Sequence, residues 1–296
     1  MNLNNPLVSV LMTAYNRETY IAEAIESVLN QDYDNFELII VDDCSNDKTV
    51  DIVSSFKKND KRIKLYINNE NIGQFANRNY SASLAEGEIF LFVDSDDTIK
   101  FDTIKYLLNS FNENQDADFA IIYTENDLHD GHILKPFESI PKHFLVKSFL
   151  HIGPGGSAIR RDYFKKIGGF ELKYGHLGDM FYNIKAASNT NIIILKYMFL
   201  NYRIHDEQEA ENLFKSKSEI KLQFIRYGYL YFNDIMNEQF VPLNAEIKKL
   251  LSKKNKRRFI INIGKAFFSS GDIMGCLKII RLVKFNFSDF LKSIFN

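Results

Sequence analysis

The sequence predicts an α/β fold, with a mostly parallel, doubly wound sheet, helices on both faces and a C-terminal helical extension. Three observations support this prediction. Strand and helix patterns alternate along the first hundred residues, and their short connections favour right-handed crossovers and parallel strands. Polar residues follow three of these strands, at the edge where such sheets bind ligands. From about residue 212 onward, only helical patterns occur.

Hydrophobic periodicity defines the elements of the first hundred residues. Residues 8–12 form a nearly continuous apolar run, which is typical of a strand buried on both faces. The next helix, which Thr19 can cap, repeats apolar side chains every three or four residues, and Asp47 can cap the helix after the second strand. The remaining segments are strands at 36–41, 63–67 and 89–93 and a helix of small residues at 75–85.

The second half of the chain has weaker patterns. Apolar spacing predicts an amphipathic helix near residues 104–111. Gly168 and Gly169 mark the end of another helix that begins near residue 163. A Gly-Pro-Gly-Gly turn leads into the apolar segment 157–159. The other clear segments are a strand at 119–123, a helix at 177–188 and a strand at 192–195.

The composition excludes several functional classes. With 296 residues, 45% of them hydrophobic and 25% charged, the chain can bury a large core and is not disordered. A net charge of -1 excludes a generic nucleic-acid binder, so we expect no nucleic-acid partner. Two cysteines are too few for a disulfide framework or a cysteine-based zinc site. No apolar run approaches the roughly 20 residues of a membrane span and no secretory signal pattern occurs, so we expect a cytoplasmic protein.

Positive charge is concentrated at the C-terminal end. Residues 248–296 contain nine Lys and three Arg but only two carboxylates, Asp272 and Asp289, and they are also rich in Phe, Ile and Leu. This combination is typical of a segment that lies on an anionic membrane surface. It also fits a helical hairpin that packs on the protein body and turns its cations to water. The sequence leaves both interpretations open.

Carboxylates follow two of the buried strands. Asp94 and Asp96 stand at alternate positions after the fourth strand, and carboxylate oxygens suit hard cations such as Mg²⁺ or Mn²⁺. A cation held in this way usually also binds phosphate oxygens, so the motif predicts a metal–diphosphate site, although a solvated turn has the same sequence. Asp42 follows the second strand and can accept a hydrogen bond from a base or a ribose, or can simply shape the turn.

Several short motifs occur in a recognisable order. Val-Ser-Val-Leu-Met-Thr-Ala-Tyr-Asn-Arg begins at residue 8, and related motifs lie at 25–31, 37–43, 71–79 and 85–97, with weaker ones at 160–179 and 202–205. Together they resemble family 2 glycosyltransferases of the type that builds bacterial surface glycans. The resemblance implies a GT-A fold, with a nucleotide-sugar-binding half at 1–98 and an acceptor-binding half at 99–211. The basic, helical extension at 212–296 lies outside it.

The resemblance also implies roles for individual residues. Asp179 corresponds to the catalytic base, although Gly178 stands where the family has Glu. Arg203 would approach the diphosphate. His205 would be a metal ligand or a phosphate donor, with a surface histidine as the alternative. The metal ligands would be Asp94, Asp96 and His205, and the nucleotide-binding residues would be Thr13, Tyr15, Asp42, Arg78, Asp94 and Ser95.

The implied reaction is an inverting transfer of a sugar from a nucleotide diphosphate to a hydroxyl group, assisted by Mn²⁺ or Mg²⁺. A UDP-sugar is the expected donor, because Asp42 would accept the N3–H of uracil. The expected acceptor is a glycan or a lipid-linked oligosaccharide at the inner face of the membrane.

Four other functions are the alternatives to this reaction. A non-catalytic nucleotide-sugar-binding or assembly subunit would keep the binding site, and Gly178 in place of Glu would then reflect the loss of catalytic activity. A membrane-anchoring scaffold would not explain three polar strand ends. A sugar nucleotidyltransferase usually has a Gly-rich loop after its first strand, and residues 13–17 contain no glycine. An oxidoreductase is disfavoured because no Gly-x-Gly-x-x-Gly follows a strand.

Overall fold

The computed structural model describes residues 5–204, 217–286 and 288. The chain forms two compact units. The first contains Met1–Leu172 and Tyr182–Arg203, and the second contains Lys173–Phe181 and Ile204–Asn296. The division into functional segments at residues 98 and 211 stays a prediction.

The described residues contain ten strands and ten helices. The strands are β1 (Val8–Ala14), β2 (Phe36–Asp42), β3 (Ile63–Ile67), β4 (Ile89–Phe92), β5 (Thr98–Ile99), β6 (Ala117–Ile122), β7 (Ile133–Leu134), β8 (Ser157–Arg160), β9 (Asn191–Leu195) and β10 (Leu200–Asn201). The helices are α1 (Ile21–Leu29), α2 (Thr49–Asn59), α3 (Gln74–Ser83), α4 (Thr103–Glu113), α5 (Pro136–Pro141), α6 (Arg161–Ile167), α7 (Gly178–Ala187), α8 (Lys217–Asn237), α9 (Ala245–Ser270) and α10 (Ile273–Leu282).

An eight-stranded sheet in the order β3-β2-β1-β4-β8-β6-β9-β7 forms the centre of the first unit. Strands β3, β2, β1 and β4 are parallel, and Ala14 pairs with Asp42 at the end of β1 and β2. Strand β8 is antiparallel to both β4 and β6, and β7 is antiparallel to β9. A separate two-stranded ribbon joins β5 and β10. The sheet is therefore mostly parallel, as the sequence predicts.

Helices cover both faces of this sheet. On one face, Val10 and Met12 of β1 share a buried cluster with Ile25 of α1 and Leu107 of α4. On the other face, Phe90 and Phe92 of β4 contact the ring of Phe164 in α6. Successive strand residues point to opposite faces, so burial on both sides explains the continuous apolar runs. The prediction of helices on both faces is confirmed.

Glu37 joins the amino ends of four strands. Its Oε1 accepts hydrogen bonds from Ser9 Oγ at 2.6 Å and from the Glu86 N–H at 2.7 Å, while Lys64 Nζ lies 2.7 Å from Oε2. Gly87 passes so close to β1 that an added Cβ would lie 2.5 Å from the backbone nitrogen of Ser9. The turn before β4 therefore requires glycine, and the buried carboxylate fixes the register of the sheet at this edge.

One predicted helix cap is absent from the structure, and one strand was not predicted. Helix α1 begins after Tyr20 without a side-chain cap, because the Arg17 carbonyl already accepts the N–H groups of Tyr20 and Ile21, so the prediction of Thr19 as the cap is wrong. Asp47 does accept a hydrogen bond from the Thr49 N–H at the start of α2, at 2.9 Å. The segment 157–159 belongs to a strand, β8, which the sequence analysis left unassigned.

The second unit is built around α8, α9 and α10. Asn244 caps α9 by accepting a hydrogen bond from the Ile247 N–H at 2.8 Å, and Gly271, with φ 66°, ends it. Within the described part of the chain, no helix has the length and apolarity needed to cross a bilayer. The buried cluster that joins the three helices contains Leu222, Tyr229, Phe259, Ile263, Ala266, Cys276, Ile279 and Val283.

Candidate functional site

The candidate site lies in the first unit, at the carboxyl ends of three adjacent strands. Strands β2, β1 and β4 are neighbours in the sheet and run in the same direction, so the polar segments after them meet at one edge. Thr13 lies near the end of β1, Asp42 ends β2, and Asp94 follows β4. The convergence predicted from the strand pattern is therefore observed.

An acidic turn follows β4, and two arginines pair with it. Asp94 closes the turn, since its carbonyl accepts the Asp97 N–H at 3.0 Å. Arg78, a buried residue of α3, forms an ion pair with the Asp94 carboxylate and donates a hydrogen bond to Thr13 Oγ1 at 3.2 Å. Arg17 pairs with Asp96, with 3.0 Å between Nε and Oδ2. The turn thus carries closely spaced negative charge that requires cationic partners.

Burial makes the acidic turn costly to ionise. It raises the pKa of Asp94, an effect that the Arg78 guanidinium opposes and the Asp96 carboxylate increases. Burial also raises the pKa of Asp97 to about 7, although the backbone N–H of Arg203 opposes the shift by donating to Oδ1 at 2.9 Å. Positive charge near the turn therefore favours its fully ionised form.

Arg203 also reaches the acidic turn through its side chain. Its Nε donates to the carbonyl oxygen of Asp96, its Nη1 lies 2.6 Å from Glu23 Oε2, and its Nη2 donates to the Tyr20 carbonyl at 3.2 Å. The structure therefore places Arg203 against the acidic turn, where it contacts the backbone of Asp96 and the carboxylate of Asp97. His205, the other residue of that predicted segment, lies outside the described residues.

The two aspartates at the end of β2 have different surroundings. Asp42 is fully buried and accepts hydrogen bonds from both the backbone N–H and the hydroxyl group of Ser45. Asp43 accepts the N–H groups of Ile72 and Gly73, both at 2.9 Å, and thereby fixes the loop that leads into α3. Both carboxylates are thus engaged by groups of the protein, and the role of Asp42 in base recognition stays a prediction.

The other predicted residues divide between the two units. The side chain of Tyr15 is 42% exposed, so its ring is accessible to a planar ligand, whereas Ser95 is buried within the acidic turn. Asp179 is the second residue of α7, belongs to the second unit, and accepts the Met180 N–H at 2.7 Å. Its role as a base stays a prediction. Sequence analysis missed Arg17 as a site residue, although a cation in the polar loop after β1 was the available signal.

The donor set of the acidic turn fits a hard divalent cation. Asp94 and Asp96 offer carboxylate oxygens, which Mg²⁺ and Mn²⁺ prefer, and one or two such groups are enough when phosphate oxygens complete the coordination. Each carboxylate is paired with a guanidinium in the structure. The described residues contain no cluster of three or more His, Cys, Asp or Glu that could hold a metal, so Asp94 and Asp96 fit a metal ion only as two ligands that other groups complete.

Comparison with protein families identifies the chain. Residues 9–168, more than half of its length, match the family model described as glycosyl transferase family 2. The chain belongs to glycosyl transferase family 2. The matched region contains the three polar strand ends, Arg17 and Arg78, whereas Asp179 and Arg203 lie outside it.

Known proteins resemble this family 2 chain over most of its length. A GalNAc(5)-diNAcBac-PP-undecaprenol beta-1,3-glucosyltransferase of Campylobacter jejuni is 28% identical, over 82% of this chain and 79% of that protein. The crystal structure of S. aureus TarS 1-349 with UDP-GlcNAc is 23% identical, with a TM-score of 0.70, and covers 93% of this chain and 80% of the other. The mannosyltransferase PcManGT of Pyrobaculum calidifontis, solved with GDP-Man and Mn²⁺, is 16% identical, with a TM-score of 0.62 and coverages of 93% and 79%.

These likenesses confirm the GT-A fold that the sequence resemblance implied. Coverage of other relatives is smaller. Four curated relatives, two from Haemophilus influenzae and two from Bacillus subtilis, are matched over only 34% to 62% of their own length. Family and fold are therefore shared, whereas substrates differ among the named proteins.

Proposed function

We propose that this family 2 chain is an inverting glycosyltransferase that moves a sugar from a UDP-sugar to a hydroxyl group of a glycan or lipid-linked glycan. One observation carries the proposal: Thr13, Asp42, Arg78 and the Asp94–Asp96 turn converge at the carboxyl edge of the sheet, within the family-matched region. The structures of TarS with UDP-GlcNAc and PcManGT with GDP-Man support a nucleotide-sugar donor.

Asp42 and Tyr15 would recognise the base of the donor. Each carboxylate oxygen of Asp42 accepts one hydrogen bond from Ser45 and keeps a second lone pair, which can accept the N3–H of uracil. The exposed ring of Tyr15 supports stacking against the base. The choice of UDP over GDP comes from the family resemblance, since a carboxylate can also accept the N1–H and amino group of guanine.

Asp94 and Asp96 would hold the divalent cation, with Arg17 and Arg78 beside them. When bound, Mn²⁺ or Mg²⁺ neutralises negative charge that develops on the departing diphosphate. Arg78 would keep Asp94 ionised before the donor enters, and its guanidinium can then turn toward phosphate oxygens. Arg17, which pairs with Asp96, would likewise turn toward phosphate oxygens. Ser95 would support the turn near the ribose, and Arg203 would add positive charge toward the diphosphate.

Asp179 would remove the proton of the acceptor hydroxyl as its oxygen attacks the anomeric carbon. Attack opposite the departing diphosphate inverts the anomeric configuration. Gly178, in place of the usual Glu, leaves the base without that carboxylate neighbour. Its position in the first turn of α7 supports the anionic form, because backbone N–H groups at a helix start stabilise negative charge.

A lipid-linked acceptor at the inner face of the cytoplasmic membrane agrees with the surface of α9. Exposed cationic and apolar side chains alternate along one stripe of this helix: Lys254, Arg257, Ile261, Lys265 and Phe268. Such a stripe fits the interface of an anionic bilayer. The undecaprenol-linked name of the Campylobacter relative supports the same class of acceptor.

Titration calorimetry with UDP, GDP and NAD, each with and without Mn²⁺, tests the donor site. We expect UDP to bind most tightly, with an affinity that rises on adding Mn²⁺, and Asp96→Ala to abolish the Mn²⁺ effect. As a control, Asp51→Ala removes a carboxylate from the exposed surface of α2 and should leave binding unchanged. UDP binding that is equal with and without Mn²⁺ would contradict the metal role, and absence of UDP binding would refute the proposed function.

Release of UDP from a panel of UDP-sugars, with glycan or polyprenol-linked acceptors, tests the chemical step. Asp179→Asn should abolish transfer while UDP still binds, since the amide cannot accept the hydroxyl proton. Turnover of Asp179→Asn at the wild-type rate would exclude Asp179 as the base. A wild-type protein that binds UDP but transfers nothing would favour the non-catalytic subunit.

A further inference from the structure

The segment that carries Asp179 belongs to the same compact unit as the C-terminal helices. Lys173–Phe181 groups with the residues after Ile204. The segment is irregular: the 3₁₀ turns of Leu172–Leu177 are interrupted at Gly175, and α7 begins only at Gly178. Such a backbone has few hydrogen bonds of its own, so contacts with neighbouring elements must define its conformation.

The first of these contacts joins Gly175 to Tyr227 of α8. Gly175 has φ 53° and ψ -135°, a conformation that is strained for any residue with a side chain. A Cβ at this position would lie 2.8 Å from Cε2 of Tyr227, so the tyrosine ring packs directly on the bare backbone. The ring of His176 continues the contact, with its centroid 3.9 Å from that of Phe224 and 5.6 Å from that of Tyr227.

The second contact joins Tyr174 to Asp234, near the end of α8. Tyr174 is 1% exposed, and its hydroxyl group donates a hydrogen bond to Asp234 Oδ2 at 2.8 Å. Lys173 Nζ lies 3.1 Å from the same oxygen. The Tyr174 ring stacks on Phe181 at 4.5 Å, so the contact ties together residues on both sides of Asp179.

All of these α8 residues lie on one face of the helix. Phe224, Tyr227, Tyr231 and Asp234 are separated by three, four and three residues, the spacing of a single helical stripe. Tyr231 is buried on the same stripe; burial raises the pKa of its hydroxyl group, Arg258 opposes this shift and the Asp179 carboxylate adds to it. The stripe therefore follows the irregular segment from Tyr174 to the start of α7.

We propose that α8 positions the catalytic base: the contacts of Tyr227 with Gly175 and of Asp234 with Tyr174 hold residues 174–179 in the conformation from which Asp179 acts. This inference rests on the proposed function. It assigns to the helical extension a role in catalysis that is separate from membrane binding. Tyr174, Gly175, Tyr227 and Asp234 are positioning residues in this account, since they act through Asp179.

Two variants that should destabilise the fold to different degrees test the positioning role. Tyr174→Phe removes only the hydroxyl group and keeps the stacked ring, whereas Gly175→Ala introduces a Cβ against Tyr227. The matched control is Tyr229→Phe, on the same helix but packed on Phe259 of α9 with ring centroids 4.5 Å apart. Each variant is compared with wild type for amide hydrogen exchange over residues 174–180, UDP affinity by calorimetry, and kcat for UDP release from UDP-sugars.

We expect both test variants to exchange faster over residues 174–180, to lose about 10-fold to 100-fold in kcat, and to bind UDP within twofold of wild type. Tyr229→Phe should match wild type in all three measurements. Tyr174→Phe and Asp234→Leu should also be non-additive in kcat, because each breaks the same hydrogen bond.

Three results would separate the possible failures. Unchanged exchange in both variants would show that α8 does not hold the segment, which overturns the inference. Faster exchange with wild-type kcat would show that catalysis does not depend on the contact, which also overturns it. Full turnover by Asp179→Asn would instead remove the base from the proposed function, and the exchange data would still report on α8.

Discussion

Asp94 and Asp96 each contact an arginine that comes from a different part of the chain. Arg78 lies on α3, and Arg17 lies in the loop after β1. Burial and the Asp96 carboxylate raise the pKa of Asp94, and the Arg78 guanidinium opposes that rise. Each of the two carboxylates is thus paired with a cation within the protein.

Cys44 stores backbone strain beside the same edge of the sheet. Its φ of 66° lies in the left-handed region, which costs a residue with a Cβ about 1–2 kcal/mol. We expect Cys44→Gly to raise the free energy of unfolding by about 1 kcal/mol, because the strain is relieved more than the unfolded chain gains entropy. Urea unfolding of the two proteins at equal pH measures the difference.

Asn16 provides the control for this prediction. It has φ 51°, but its side-chain oxygen accepts a hydrogen bond from the Asn46 N–H at 2.8 Å. Asn16→Gly should therefore give no gain, since relief of strain is offset by the lost hydrogen bond. Equal unfolding free energies for Cys44→Gly and wild type would contradict the strain at Cys44.

Among the elements, Glu37 links the strands at their amino ends, and the candidate site residues lie at their carboxyl ends. Burial alone would favour the neutral acid, but hydrogen bonds from Lys64, Ser9 and the Glu86 N–H outweigh it and lower the pKa of Glu37. A carboxyl whose pKa is lower in the folded than in the unfolded state stabilises the fold above its unfolded pKa. That stability is lost as the pH falls through the folded pKa.

Glu37→Gln should therefore lower the unfolding free energy at pH 7 by about 1–3 kcal/mol, since the buried charge-assisted hydrogen bonds are weakened. The difference from wild type should shrink as the pH is lowered from 5 to 3. Urea unfolding across this range measures both effects. Glu86→Gln is the control, because that side chain is exposed and lies 3.5 Å from the same Lys64. A constant difference between Glu37→Gln and wild type at every pH would disprove the titration argument.

Strand β8 shows where local pattern is insufficient. Three of its residues pair antiparallel with β4 and three with β6, and Ala158 and Ile159 pair with both, so β8 joins the two halves of the sheet. The segment Ser157-Ala158-Ile159 is too short for periodicity to distinguish a strand from a turn. Pairing with strands from distant parts of the chain, rather than its own propensity, makes it a strand.

For the molecule as a whole, the net charge is -1, but positive charge is concentrated in residues 248–296, which include most of α9. We expect binding to vesicles of phosphatidylglycerol and phosphatidylcholine, and little binding to phosphatidylcholine alone. Binding should weaken when salt is raised from 0.1 M to 0.5 M, because salt screens the cations of α9. Co-sedimentation of the full chain with the two vesicle types measures the effect.

A charge-reversal pair locates the binding face. Lys254→Glu with Lys265→Glu changes the exposed stripe of α9 and should abolish vesicle binding. Lys249→Glu with Lys256→Glu makes the same change in charge on the opposite side of the helix and should retain most of it. Equal loss in both double variants would mean that only net charge matters, and binding by neither wild type nor variants would leave the packed-hairpin interpretation.

Short-range patterns were enough to predict the strand–helix alternation, the polar strand ends and the family. Burial on one side or both sides spaces apolar residues with a period of 2 in strands and 3.6 in helices. The carboxyl ends of parallel strands lie at the same edge of the sheet. Asp42, Arg78, Asp94 and Asp96 could therefore be named from motifs alone. Their proximity follows from the sheet order β2-β1-β4.

Contacts between residues that are far apart in the sequence became visible only in the folded chain. Arg17 contacts Asp96, 79 residues away in the sequence, and Arg203 contacts Asp97, 106 residues away. Neither pair can be predicted from hydrophobic periodicity. The grouping of Lys173–Phe181 with the C-terminal helices is likewise invisible in the sequence. The physical reason is that ion pairs and aromatic contacts depend on the distance between side chains in space. These distances are defined only after the strands and helices have packed together.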